Sequence, residues 1–324
     1  MSRGSRITGV GGYRPERVVP NSELVEAINS SDQWIRERSG IIERRYARPD
    51  ESVVDMAHAA AIDAIAMAGL EPSDIEAVLV ATVTHPYQTP AAAPKLADRF
   101  DLRCAAFDIS AACAGYCYGI SLASDMVRGG TAEHVLVVGV EKLSDFTDFT
   151  DRSTAFIFAD GAGAAVVSRS DRVGIGPTIW GSEGDSWTTI QQKPSWVELR
   201  EADEFRWPPI LMEGHKVFRW AVWGMAPVAQ KAMDAAGIKP SDLDAFIPHQ
   251  ANMRIIDSML KQLKLPKDIP VARDIAETAN TSAASIPLAT ERMLREGLIP
   301  HGGLALQIGF GAGLVFAAQV IELP

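Results

Sequence analysis

With 324 residues, 47% of them hydrophobic, the chain has material for about two domains of ordinary size, and a formal net charge of −10 argues against a nucleic-acid surface. No apolar run approaches the ~20 residues of a membrane span, and residues 1–10 lack the apolar region of a signal peptide, so a soluble, cytoplasmic protein is expected. Three cysteines, an odd number, make no disulfide framework and imply a reducing compartment with at least one free thiol.

Taken in chain order, apolar runs and alternation predict strands over residues 6–10, 77–83, 105–109, 134–140 and 163–168, then over 245–248, 304–309 and 313–321. Helical periodicity predicts helices over 21–29, 52–68, 114–128, 218–236, 253–263 and 283–295, and the alternation of the two kinds points to α/β layers. Residues 180–209, rich in Trp, Ser, Glu and Pro, read as an irregular insertion or a lid-like strand pair.

A repeat runs through this order. The ten residues from Ala68 to Ala77 and those from Ala236 to Ala245 share Ala-Gly, Pro-Ser-Asp and the closing Ala, and each copy follows an alanine-rich helical pattern and precedes an apolar strand. Gly161-Ala-Gly163 and Gly311-Ala-Gly313 form a second echo, each opening an apolar run. Helix-to-strand junctions reuse Gly, Pro, Ser and Asp for turning and capping without any duplication. The shared order and context favour two copies of one α/β unit, divided as 1–172 and 173–324.

Chemistry concentrates in three segments. Cys113, in Ala111-Ala-Cys-Ala-Gly115, falls where an apolar strand hands over to a helix, so the orphan N–H groups of the helix are expected to lower its pKa and favour the thiolate. A buried structural cysteine is the commoner fate of a lone thiol, and Cys104 and Cys117 are read that way. The three cysteines lack the paired spacing of a metal site, so no metal is expected. His249 follows the strand of the second copy, where α/β proteins gather reactive groups, and polar Gln250 and Asn252 stand where a core segment would be apolar. Asn280 opens a run of small hydroxyl and methyl residues that, alone, reads as a helix N-cap.

In this order the words Ala-Ala-Cys-Ala-Gly, Pro-His-Gln-Ala-Asn-x-Arg, Asn-Thr-Ser-Ala-Ala-Ser and Gly-Phe-Gly-Ala-Gly resemble those of β-ketoacyl-acyl-carrier-protein synthase III, a condensing enzyme of the thiolase superfamily, over nearly the whole chain. The resemblance implies a duplicated, thiolase-like five-layered αβαβα fold that works as a homodimer, with Cys113, His249 and Asn280 as catalytic residues. It implies two half-reactions without a cofactor: Cys113 takes an acyl group from acyl-CoA, and malonyl-acyl carrier protein then loses carbon dioxide and attacks it. His249 and Asn280 would donate to the enolate oxygen, neutral donors that do not repel it, while backbone N–H groups of Cys113 and of the Gly311-Ala312-Gly313 loop would hold the oxyanion of acylation. Phe310 would shield the site.

Further contacts follow from the same resemblance. Trp34 and Arg38, four apart on one helix face, and Arg152 would bind CoA by stacking and phosphate pairing. Arg254, Arg219, Lys261 and Lys264 would meet the acidic carrier protein through local positive potential. Thr89, in the segment that closes the acyl tunnel across the dimer, suggests room for branched or longer starters. Relatives carry Gly where this chain has Ala279; if that position requires φ > 0, the Ala costs about 1 kcal/mol and displaces Asn280. A polyketide-priming enzyme could share this core, and a cysteine hydrolase would use Cys113 and His249 without malonyl-carrier protein.

Overall fold

The computed structural model describes residues 4–205 and 207–324; residues 1–3, at the start of the stretch read for a leader, and residue 206, within the expected insertion, lie outside the described residues. Two sheets organise them. The first has the order Gly4–Tyr13, Asp160–Ser170, His134–Lys142, Ala77–Ala81, Ala105–Ile109. Its last three strands are parallel, and Asp160–Ser170 runs antiparallel to both of its neighbours. The second has the order Ala245–Pro248, Leu304–Gly311, Val315–Glu322, Ile179–Ser182, with its first pair parallel. Phe246 adds a single parallel bridge to Val271 on the open side.

Helices Gly115–Gly129 and Ser285–Arg295 lie between the sheets. Both faces of this central layer must therefore be apolar, and the core there joins Tyr116, Ile120 and Val127 to Ile286, Ala289 and Met293 together with inward residues of both sheets. Helix Val53–Met67 covers the outer face of the first sheet. A capping box of Ser52 and Asp55 starts it, and alanines at 57, 60, 61 and 64 let it sit close to the strands. Helices Gly214–Ala236 and Met253–Leu263 cover the second sheet. Five layers result, in the order α, β, α, β, α.

The repeated words take the same shape twice. Gly69 and Gly237 both have positive φ, at 68° and 71°; a short 3-10 turn follows, Pro72–Asp74 and Pro240–Asp242, and then a buried parallel strand. In each copy the Asp carboxylate accepts the backbone N–H three residues earlier, from Glu71 and from Lys239.

Some elements depart from expectation. The helix expected over 21–29 is only a 3-10 turn, Asn21–Glu23, followed by further turns, because the buried Asn21 amide donates to Ile41 O and Asp32 and accepts from Arg44. Helix Ala92–Asp98 was not expected; the Asp108 carboxylate accepts the N–H groups of Ala92 and Ala93 and starts it from a distant strand. Within 180–209, Trp180–Ser182 belong to an edge strand of the second sheet, Ile190–Gln192 pairs with Ile210–Met212, and a short helix, Trp196–Arg200, lies between that pair.

Candidate active site

The site forms where the two halves meet. Turn Ala112–Ala114 precedes the first central helix and turn Ser282–Ala284 precedes the second, and each opens on a residue with positive φ, Ala112 at 44° and Ser282 at 48°. Each turn rests on the opposite sheet at a glycine. A Cβ on Gly309 would come within 2.9 Å of Cys113 O, and one on Gly139 within 2.2 Å of Ala283 O. Only a residue without a side chain allows either approach.

Cys113 is buried at the floor of a cavity of about 1070 Å³ that His249, Asn280, Phe310 and Ala312 also line. The three residues singled out for chemistry therefore converge, although they lie far apart in the chain. All three cysteines are free. The charge state of Cys113 corrects the sequence-based expectation: burial pushes its thiol up to about 12, a nearby Ser282 hydroxyl lowers it only partly, and the Glu141 carboxylate raises it further. Position before a helix is not enough to make a resting thiolate, so the proton must leave as the sulfur reacts.

His249 directly follows strand Ala245–Pro248 and is buried. Desolvation lowers its pKa to about 3, so the ring is neutral. Its Nδ1 lies 2.7 Å from Ser285 Oγ, and the Gln250 N–H donates to the same oxygen at 3.4 Å. When the Ser285 hydroxyl donates to Nδ1, the ring proton sits on Nε2. Phe310 packs edge-on against the imidazole, with ring centroids 5.3 Å apart, and fixes its plane.

Asn280 is held at every other polar atom. Its N–H donates to Ile157 O and its carbonyl accepts from Ala159 N–H, both at 2.9 Å, while its Oδ1 accepts the Ser282 N–H at 2.8 Å. The amide nitrogen is left as the group to face a ligand. Ala279 has φ 50° and ψ −154°, a conformation that favours Gly and costs an Ala about 1–3 kcal/mol. The expected strain is present, yet these backbone bonds keep Asn280 in the cavity wall.

At the mouth, the Arg152 guanidinium lies 4.6 Å from the Trp34 ring centroid and that of Arg38 5.8 Å, with Phe156 edge-on behind the indole. Asn252 ties this rim to the next helix, donating to Arg38 O and accepting from Arg254 N–H, both at 2.9 Å. Arg254 stacks over Phe218 at 4.9 Å and lines the same cavity. Arg219, Lys261 and Lys264 are exposed and lie outside the cavity, and Thr89 is exposed on a loop that does not line it. Gln250 proves architectural, donating to Pro248 O and accepting from Ile275 N–H.

Sequence reasoning missed Ser285, Ser282 and Glu141. Ser282 and Ser285 stood in the quoted small-residue run, where two hydroxyls about one helical turn apart were the available signal; Glu141, an acid near the end of an apolar strand, was the other. It also missed much of the cavity wall, including Phe158, Ile190, Met212 and His215.

Comparisons with known proteins identify the family. Residues 107–184 match the family described as 3-oxoacyl-[acyl-carrier-protein] synthase III, and residues 233–323 match its C-terminal counterpart. The chain is 59% identical over 321 residues to β-ketoacyl-[acyl-carrier-protein] synthase III of Streptomyces glaucescens, covering 99% of this chain and 96% of that protein. A relative of the same name from Streptomyces coelicolor is 58% identical over 331 residues, covering 99% and 96%. Among solved structures, the priming β-ketosynthase of the R1128 polyketide pathway superposes with TM-score 0.97 at 45% identity, covering 100% of this chain and 97% of that one. The 3-oxoacyl-[acyl-carrier-protein] synthase III of Aquifex aeolicus does so with TM-score 0.91 at 36% identity, covering 98% and 100%. The α/β, duplicated thiolase-like five-layered fold expected from the sequence is the one observed, and the chain belongs to the 3-oxoacyl-[acyl-carrier-protein] synthase III family of condensing acyltransferases.

Proposed function

We propose that this enzyme initiates fatty-acid synthesis: it acylates Cys113 from a short straight or branched acyl-CoA and condenses that group with malonyl-acyl carrier protein, releasing carbon dioxide. The observation that carries the reading is the convergence of a buried thiol, a neutral imidazole held at Nδ1 by Ser285, and an amide whose oxygen is bonded to Ser282 N–H, in the wall of one cavity. In the first half-reaction Cys113 sulfur attacks the thioester carbon, and the oxyanion points to the Gly311–Gly313 turn that abuts Cys113. In the second, decarboxylation places negative charge on the malonyl thioester oxygen. His249 Nε2–H and the Asn280 amide donate to it, and a low-dielectric cavity makes both bonds stronger than in water. The carbanion then attacks the acyl carbon. No cofactor enters this scheme.

Arg152 stacks on the Trp34 indole at 4.6 Å, so adenine takes its place on the indole as the guanidinium swings aside to cover it; Arg38 pairs with phosphate, and a pantetheine chain reaches inward to Cys113. Arg254 at the mouth, with Arg219, Lys261 and Lys264 on the outer faces of two packed helices, forms the landing area for an acidic carrier protein. The homodimer reading is supported by the open edge of strand Ala105–Ile109, where Phe107 is 40% exposed. A partner subunit there would accept Thr89 against its acyl pocket. We place the division between the duplicated units at 172/173 and the enzyme in the cytoplasm; among the described residues no helix is long and apolar enough to cross a membrane.

The likeness to a polyketide priming enzyme supports a second reading, starter loading for a polyketide, in which the same residues act on a different acyl group. The test is direct. Incubation with acetyl-, isobutyryl- or longer acyl-CoA should add the acyl mass to the Cys113 peptide, and malonyl-carrier protein should then yield a 3-oxoacyl product. Acylation without condensation would overturn the synthase reading, and an acetyl-only preference would remove the case for branched starters.

A further inference from the structure

The strained torsion at Ala279 comes immediately before Asn280, and strain of this kind persists only where the chain is fixed on both sides of it. After Ala279 the backbone bonds of Asn280 to Ile157 and Ala159 supply one support. Before it stands a single helical turn, Ile275–Thr278, too short to hold its own shape. Neutral contacts steady the middle of that turn: Ile275 N–H donates to Gln250 Oε1 at 3.1 Å, and Ala276 O accepts from Ile42 N–H at 2.7 Å. Its two ends depend on charge.

Asp274, which opens the turn, is buried, and its carboxylate lies between two guanidinium groups that are themselves largely covered. Arg14 donates to Oδ2 at 3.3 Å, and Arg292 Nε lies 2.8 Å from Oδ1. The hydroxyl of Thr278, the last residue of the turn, is within hydrogen-bond distance of both Asp274 O, at 2.8 Å, and Oδ2, at 3.2 Å. Arg14 follows strand Gly4–Tyr13 of the first half, and the same guanidinium donates to Leu288 O at 2.8 Å and to Glu291 at 2.7 Å on helix Ser285–Arg295. It therefore grips the chain on both flanks of Asn280. Joining the two halves needs only one of these contacts, whereas the fork of a guanidinium holds both flanks at once.

We infer that Arg14 and Asp274 are positioning residues for the condensation: their ion cluster holds the Asp274–Thr278 turn against the strain at Ala279 and so keeps the Asn280 amide where it donates to the enolate oxygen. The inference rests on Asn280 being that donor. Asn280 acts in the second half-reaction, whereas acylation draws on Cys113 and the Gly311–Gly313 turn, so loss of the cluster separates the two. Glycine adopts the torsion of residue 279 without strain, and with Gly there the turn no longer has to be held.

The experiment follows each half-reaction as a single turnover: acyl-Cys113 formation by intact mass, then 3-oxoacyl product from the isolated acyl-enzyme at saturating malonyl-carrier protein. Arg14→Gln and Asp274→Asn should each acylate at the wild-type rate and condense on the order of tenfold more slowly. Thr278→Val removes one hydroxyl at nearly constant volume and should slow condensation about threefold, which keeps the test open if the charged variants do not fold. Adding Ala279→Gly to each should restore condensation to within about twofold of Ala279→Gly alone, while the drop in melting temperature caused by the cluster variant persists. A cluster that only stabilises the fold would slow both half-reactions together and gain nothing selective from Gly. Condensation at the wild-type rate in the folded variants, equal losses in the two half-reactions, or a condensation defect that Ala279→Gly leaves in place overturns the inference. An Asn280→Ala enzyme that condenses normally, or a wild-type acyl-enzyme that yields no 3-oxoacyl product, would instead refute the reading on which it rests.

Discussion

Gly311→Ala tests whether the second half of the fold positions the nucleophile of the first. A Cβ at 311 would lie 2.8 Å from both Cβ and Sγ of Cys113 and 3.1 Å from its backbone nitrogen. Comfortable carbon contacts begin near ~3.5 Å, so something must yield by about 0.7 Å. Gly311 has extended backbone that any residue adopts and is held in register opposite Val315, so the strand cannot retreat. The Cys113 turn must move. Overpacking of this kind costs about 1–3 kcal/mol of stability, and a displacement approaching 1 Å in an attacking atom costs about 100-fold in rate. Intact-mass measurement of acyl-Cys113 formation should show that loss. Gly181→Ala is the control: its Cβ would meet the Phe316 ring at 2.7 Å, destabilising the second sheet without pressing on Cys113. It should lower the melting temperature while acylation stays near wild type. A Gly311→Ala enzyme that acylates at the wild-type rate would refute the argument.

Ser285→Ala removes the hydrogen-bond partner of His249 Nδ1 and should cost about 1–3 kcal/mol in denaturant unfolding. Condensation should slow by up to about 100-fold in single-turnover assays while acylation is nearly unchanged, and equal losses in both would contradict the donor role of His249. The buried imidazole also sets a pH dependence. Its folded pKa, near 3, lies below the unfolded value, so its contribution to stability is complete above pH ~6.5 and is lost as pH falls towards 3. Between pH ~6.5 and ~5 that loss reaches about 2 kcal/mol. Urea unfolding at both pH values should show it in wild type and not in His249→Gln, and identical losses in the two proteins would exclude it. Arg254→Glu should slow turnover with malonyl-carrier protein about tenfold at low salt, with the gap closing as salt rises, and leave a small malonyl thioester unaffected. A salt-independent defect would point instead to damage of the cavity wall.

The parts of the fold readable in the sequence are those governed by local rules. Strands Ala105–Ile109 and Ala245–Pro248 and helix Met253–Leu263 have the predicted limits, since apolar runs, periodicity and caps lie within each segment. Helix Ala92–Asp98 and the turns after Asn21 were not legible because their decisive partners, Asp108 and Arg44, are distant in the chain. The same division applies to the site. Cys113, His249 and Asn280 stand in distinctive words, whereas the tautomer of His249 depends on Ser285, 36 residues away, and the protonation of Cys113 depends on burial that no local window contains. The N-cap reading of Asn280 was half right: its Oδ1 does satisfy the Ser282 N–H, and that bond is what frees the nitrogen.

The cavity wall contributed by 187–217 has a different origin from the floor. Cys113, His249 and Asn280 hang from the sheets and the turns between them, but Ile190 and Met212 stand on a two-stranded pair belonging to neither sheet. Substitutions there can reshape the cavity while the bonds that orient the imidazole and the amide stay intact. The outline of the cavity and the alignment of its polar groups are thus carried by separable parts of the molecule, and one can drift while the other is held constant.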